Sequence, residues 1–245
     1  MNEKSDILSH INPFDLFDTE AERLDRHFSR LGAEDWNRPS RCAGWSVRDV
    51  LAHLAGEEMY NHACLDDDID GFFARLEHEG IQGGVAGFND WCVRRRRNRP
   101  VEDVLAEWRQ GNGETRRRMR ALGRDALLPT SAGPYPVGLQ AFHYASEYAT
   151  HADDVGAPVG AGEFDRRIWW RAEVGVFALA EQHPEVQVEV TAERIWVCAR
   201  GTSAQVPAPV FVEATVGRLP AGHPLDRMLD DGLDHELRAE LRCLA

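Results

Sequence analysis

"GWSVRDVLAHLAGEE", Gly44 to Glu58, is the stretch from which the fold is read. Ser46 is a good helix N-cap, and Asp49 stands at the N3 place of a capping box in its acidic form. Trp45 and Val50 occupy the positions of a hydrophobic staple. A helix starting at Ser46 follows. Its apolar stripe is Val47, Val50, Leu51 and Leu54, and a turn of about 100° per residue puts His53 about 60° from Val50, at the stripe's edge. Glu57 falls beside it. An ionisable group flanking a buried face is costly unless something pairs with it. The sequence therefore asks whether His53 fills a core or holds a ligand.

Upstream, Phe14, Phe17, Ala21, Leu24, Phe28 and Leu31 follow the three-four spacing of one helical stripe, which predicts a helix over Pro13 to Leu31. Downstream, a short helix is expected near Ile69 to Glu77. Pro100 ends the arginine run, and a helical pattern resumes through Val104, Leu105, Trp108, Met119 and Leu122, with Gly111 and Gly113 weakening its middle. "TSAGPYPVG" reads as turn, and "LQAFHYASEYATHADDV" as the last helix of the set.

"GAPVGAG", Gly156 to Gly162, is the best linker, so the boundary is placed at residues 158/159. Beyond it one amphipathic helix, "FDRRIWWRAEVGVFALAEQ", precedes "VQVEVTAERIWVCARG", two β-rich runs around a turn at Ala192 and Glu193. "APVFVEATVG" reads as a third β run and "PLDRMLDDGLDHELRAELRCL" as a closing helix. The organisation expected is a bundle of four or more helices (residues 1–158) followed by a small α/β module (residues 159–245).

A chain of 245 residues can bury a real core as one large domain or two small ones. Five scattered cysteines with no C-x-x-C spacing suit reduced thiols. No run of about 18 apolar residues is present to cross a bilayer. The N-terminus lacks a basic start followed by an apolar stretch, and a cytoplasmic location is expected. A net charge of -13 argues against nucleic acid as a partner. The arginine clusters at Arg94 to Arg99 and Arg116 to Arg120 are local exceptions, read as solvated helix faces or as lining for an anionic ligand.

Chemistry concentrates on the last bundle helix. His143, Glu147 and His151 recur at i, i+4 and i+8, with Asp154 near the same azimuth. Leu139 borders this titratable strip on one side, and Tyr144, Tyr148 and Val155 on the other, so the strip points inward at least in part and needs partners. Two imidazoles and a carboxylate make a complete ligand set for a catalytic Zn²⁺ with one open position. Glu147 and His151 lie one turn apart, and His53 can close the triangle from a facing helix. Taken singly, His53 also reads as a hydrogen-bonded core histidine, and the Glu-His pair as an ordinary surface pair. The missing Glu-x-x-His repeats speak against a di-iron centre. No G-x-S-x-G elbow, phosphate loop or dinucleotide fingerprint is present.

"RCAGWSVRDVLAHLAG", followed about 90 residues later by "EYATHADDVGAP", resembles the paired motifs of the mycothiol-dependent maleylpyruvate isomerase family of the DinB-like metalloprotein superfamily. The likeness covers roughly residues 10 to 160, and the helix-then-strands tail is similar to a small C-terminal domain carried by many members. The resemblance implies a mainly α fold, a DinB-like four-helix bundle followed by a small α/β C-terminal domain. It further implies one divalent metal, usually Zn²⁺, held by His53, Glu147 and His151, and mycothiol or a related thiol as co-substrate. From the residues themselves, Glu57 and Asp154 are expected to orient the ligands, His143, which has no clear family counterpart, stands beside them or without a role, and Arg218 in "ATVGRLPAG" is the C-terminal candidate for an anionic substrate group. Glu213 interrupts the aliphatic stretch that the family carries before that Gly-Arg pair.

The reading is a metal-dependent thiol S-transferase or cis-trans isomerase, a monomer or homodimer whose partners are a thiol and a small electrophile, with no membrane partner. A thiol-independent zinc hydrolase and a non-catalytic metal- or thiol-binding protein remain as alternatives at this point.

Overall fold

The computed structural model describes residues 7–191, 194–199, 202–220 and 244. The chain divides into two compact units, Ile11–Pro158 and Val159–Ala245, the second taking in Met1–His10.

In the first unit, α1 (Pro13–Phe28), α2 (Val47–Leu65), α5 (Val101–Leu122) and α6 (Val137–Asp154) form the bundle, with α1 along α6 and α2 along α5. The shorter α3 (Ile69–His78) and α4 (Gly84–Arg96) pack on α2. Asn12 caps α1 by accepting the Phe14 N–H, with Pro13 at the first helical position. Ser46 and Asp49 close the capping box that starts α2. Phe17, Leu24, Phe28, Leu51, Leu54, Trp108, Phe142 and Tyr148 are buried between the helices. Phe17 meets Tyr148 edge-on at 4.9 Å, and Phe28 meets Trp108 edge-on at 5.7 Å.

Gly111, read from sequence as a weak point of α5, has a structural use: a Cβ there would lie 3.1 Å from Glu58 Cβ, so its bareness lets α5 approach α2. Gly56 does the same for α2 against α4, where a Cβ would meet Cys92 Sγ at 2.5 Å.

Two local expectations are corrected. "TSAGPYPVG" is not only turn: β1 (Leu127–Thr130) and β2 (Gly133–Pro136) pair antiparallel with Pro129 opposite Pro134 and Leu127 opposite Pro136. Counting from the closing Thr130/Gly133 pair, all three prolines fall on the non-hydrogen-bonded positions of the ladder, where a missing N–H costs no bond. "APVFVEATVG" is a helix, α8 (Ala208–Thr215), instead of a strand, and the third strand is β5 (Thr202–Val206). The buried residues Ala208, Phe211, Val212 and Thr215 follow the helical period, which outweighs the β-propensity of the valines.

The second unit holds α7 (Phe164–Gln182), the antiparallel sheet β3 (Gln187–Val190), β4 (Ile195–Ala199) and β5, and α8. Leu179, Ile195, Val197, Val206, Phe211 and Val212 share its core. The helix expected over residues 224–244 lies outside the described residues, apart from Leu244. No helix among the described residues is long and apolar enough to cross a membrane.

Candidate metal centre

α2 and α6 supply the site. His53 Nε2 lies 3.4 Å from Glu147 Oε1 and 3.6 Å from Glu57 Oε2. The His53 and His151 rings stand edge to face with centroids 4.9 Å apart. One ligand-type atom from each of His53, Glu147 and His151 falls within 4.8 Å of the other two. Two ligands of one tetrahedral ion with bonds of about 2.0–2.1 Å stand about 3.4 Å apart, so the donor set and its spacing fit a divalent ion. His53 and His151 are buried, and Glu147 is partly exposed. Trp45 packs its ring on His53 at 5.2 Å.

Around these three, Asp154 Oδ2 lies 3.1 Å from His151 Nδ1. That contact fixes the ring and leaves Nε2 as the nitrogen available to a ligand role. Burial works against the His151 imidazolium, but Asp154 and Cys42 outweigh it and raise its pKa to about 9. Burial likewise opposes the Glu147 carboxylate, yet hydrogen bonds from His53 and Glu57 hold it at about 2. Burial, then the charge of Glu147, pushes Glu57 well above the usual carboxylate range. Glu57 Oε1 is buried with no hydrogen-bond partner, the kind of atom that marks an unfinished coordination or substrate sphere.

A match to the mycothiol maleylpyruvate isomerase N-terminal domain spans residues 17–156. The chain belongs to that family. Among solved structures, a histidine-to-alanine variant of the mycothiol-dependent maleylpyruvate isomerase is similar at 14% identity and a TM-score of 0.61, over 84% of this chain and 88% of that one. No curated protein matches. The fold of this family member is thus mainly α, a DinB-like helical bundle followed by a small strand-containing region.

One residue singled out in the sequence of this isomerase-family chain has a partner apart from the three candidate ligands within its own unit. His143, one turn before Glu147, is hydrogen-bonded to the Tyr135 hydroxyl of β2 at 3.1 Å. Arg218 follows α8 in the other unit, its guanidinium donating to the Val216 carbonyl. The arginine clusters are largely engaged with acids: Arg96 with Glu107 at 2.6 Å, Arg97 with Asp49 at 3.1 Å, Arg118 with Asp66 at 2.7 Å, and Arg116 and Arg120 with Asp18.

Two features escaped sequence reasoning. Cys42, four residues before the α2 cap, lies 3.0 Å from Asp154 Oδ2 and 3.8 Å from His151 Nδ1, so Cys42, His151 and Asp154 form a second group of metal-ligating type sharing His151. Its scattered position among the cysteines gave no signal, although it stands inside the first family motif. The other is a cavity of about 800 Å³ that opens over His53, Glu57 and Glu147 and extends between α2, α3 and α4. It is walled by side chains from segments whose sequence shows no special pattern.

Proposed function

We propose that this chain is an enzyme that holds one divalent metal, Zn²⁺, through His53, Glu147 and His151, and uses mycothiol or a related low-molecular-weight thiol against a small electrophile. Isomerisation and S-transfer are the two outcomes of that chemistry. The observation that carries the reading is the convergence of two imidazoles and a carboxylate, of which His53 and Glu147 line a cavity. Family membership and the similar fold of a mycothiol-dependent isomerase support it.

A bound metal would supply the charge that keeps a coordinated thiol as thiolate, its nucleophilic form. Asp154 holds the His151 ring in one orientation, and Glu57 hydrogen-bonds to Glu147 and so steadies its carboxylate. Trp45 covers one side of His53 and excludes water from it. Addition of the thiolate to a carbon-carbon double bond, rotation and re-expulsion of the thiolate gives the isomer. With a leaving group, the sulfur-carbon bond stays and the displaced group departs with the electron pair; with an epoxide, the ring oxygen takes the pair of the broken carbon-oxygen bond, stays attached and is protonated to a hydroxyl.

The test is elemental analysis of the purified protein beside the variant in which His53, Glu147 and His151 are all alanine. About one metal per chain in the wild type and none in the folded variant is expected. Wild type purified without chelator that carries no stoichiometric metal, and takes none up on dialysis against Zn²⁺, would overturn the assignment.

A further inference from the structure

The segment Ser40 to Trp45 bridges the end of α6 and the start of α2, and it reaches both imidazoles of the centre. The Arg41 N–H donates to the Asp154 carbonyl at 3.0 Å, and the Val47 N–H to the Arg38 carbonyl at 3.0 Å. Between these anchors the segment folds on itself. The Ser40 N–H donates to the Trp45 carbonyl at 2.9 Å, the Trp45 N–H to the Cys42 carbonyl at 3.0 Å, and the Cys42 N–H to Ser40 Oγ at 3.1 Å. A loop closed by its own hydrogen bonds presents its side chains from a fixed frame. Trp45 lies on the His53 ring at 5.2 Å, and Cys42 Sγ stands 3.8 Å from His151 Nδ1.

The Cys42 thiol can be read as a metal ligand or as a hydrogen-bond donor, and distance separates the two. Sulfur and oxygen on one tetrahedral ion, with bonds of about 2.3 and 2.0–2.2 Å, stand about 3.5 Å apart. Cys42 Sγ is 3.0 Å from Asp154 Oδ2, too close for a shared ion and within reach of an S–H donating to a carboxylate. The same oxygen lies 3.1 Å from His151 Nδ1. One carboxylate oxygen therefore receives the thiol and the imidazole together. Asp154 and His151 are buried and Cys42 is 9% exposed, so bulk water competes little for these bonds.

We propose that Cys42 is a positioning residue of the metal centre: its thiol donates to Asp154 Oδ2 and, through that carboxylate, holds the His151 ring in the orientation that binds the ion. The proposal rests on the assignment of His53, Glu147 and His151 as ligands. It gives the thiol no bond to the metal and no part in attacking the electrophile. A carboxylate that loses one of its donors can turn away from the ring, which then samples orientations that miss the ion. Groups that orient a ligating imidazole through its far nitrogen contribute about 10–100-fold in metal affinity.

The test is the Zn²⁺ affinity of the full-length metal-free protein, measured by competition with a chromophoric chelator and without mycothiol. Wild type is compared with Cys42→Ala, Cys42→Ser, Asp154→Ala, the double variant Cys42→Ala/Asp154→Ala, and His151→Ala. Cys42→Ala is expected to weaken binding about tenfold. Cys42→Ser, whose hydroxyl still donates, should stay within about threefold of wild type. Because the thiol acts through Asp154, adding Cys42→Ala to Asp154→Ala should bring no further loss. Protein loaded with Co²⁺ should lack the near-ultraviolet absorption that a thiolate bound to that ion produces.

Wild-type affinity in Cys42→Ala, or a further loss of about tenfold when it is added to Asp154→Ala, would overturn the proposal. Equal losses in Cys42→Ala and Cys42→Ser would do so as well, and thiolate absorption with Co²⁺ would then make Cys42 a ligand. Failure of the metal assignment itself has a different signature: wild type and His151→Ala would bind Zn²⁺ equally weakly, and the role of Cys42 would fall with it.

Discussion

Glu57 and Glu58 are neighbours on α2, both buried, and they live in opposite surroundings. Glu58 faces α5 and α6, where Oε1 accepts from Asn112 at 3.1 Å and from the Tyr148 hydroxyl at 3.0 Å. Its Oε2 accepts from Asn61 at 3.1 Å and from Thr115 at 2.5 Å. Tyr148 in turn accepts from the Trp108 indole. Glu57, turned about 100° around the helix axis, faces the cavity with one oxygen near His53 and the other without a partner. A carboxylate that has four donors is finished and serves the fold. One that is left half satisfied beside the His53 imidazole is prepared for something that enters.

The largest effect expected is on the finished side. Glu58→Ala strands buried donors on three helices, each costing about 1–3 kcal/mol, and a total loss of about 3–5 kcal/mol should appear in urea unfolding. A loss under about 1 kcal/mol would mean that the network is not structural, and the comparison with Glu57 would collapse.

The face of α2 toward α4 gives the next test. Gly56→Ala places a Cβ 2.4 Å from Cys92 Cβ, and overpacking of this kind costs about 1–3 kcal/mol. The same measurement reads it, with Gly113→Ala as control, because a Cβ at Gly113 meets nothing within 4 Å.

A smaller effect is expected at the start of α2. Burial would raise the Asp49 pKa, but the Ser46 backbone and Arg97 outweigh it and hold it below 3.8. Glu107 is held below 4.5 by Arg96 and Arg99 against the same opposition from burial. A carboxyl lowered on folding contributes stability that is present above its unfolded pKa and lost as pH falls through the folded one. Unfolding midpoints should therefore drop as pH falls below these values, and Asp49→Asn should flatten part of that drop. An unchanged acid limb in the variant would remove Asp49 from the account.

The smallest change in stability is expected at Glu57. Glu57→Gln keeps the shape and leaves no new donor stranded on another helix, so unfolding should move by less than about 1 kcal/mol, with the metal retained in elemental analysis. A loss as large as that of Glu58→Ala would place both acids in one structural network.

Local physics made much of this legible in advance. A side-chain acceptor at Ser46 with an acid three residues on names the start of α2 wherever α2 ends up, because capping uses only neighbours in the chain. The four-residue spacing of Glu147 and His151 puts them on one helix face for the same reason. The family motifs gave the bundle. The β1-β2 hairpin was obscured by its three prolines, which look like breakers until the register shows that none is asked for an N–H. α8 was obscured by valines whose choice between strand and helix is made by what they pack on.

The sequence by itself determined the start of α2, the helical stripes and the presence of two imidazoles and a carboxylate on two of them, since each follows from spacings of a few residues. Only the tertiary structure decided that His53 Nε2 stands 3.4 Å from Glu147, that Cys42 reaches Asp154 across more than a hundred residues, and that Glu57 looks into a cavity while Glu58 is sealed. Those outcomes depend on which helices pack together, and no local pattern encodes the meeting of side chains so distant in the chain.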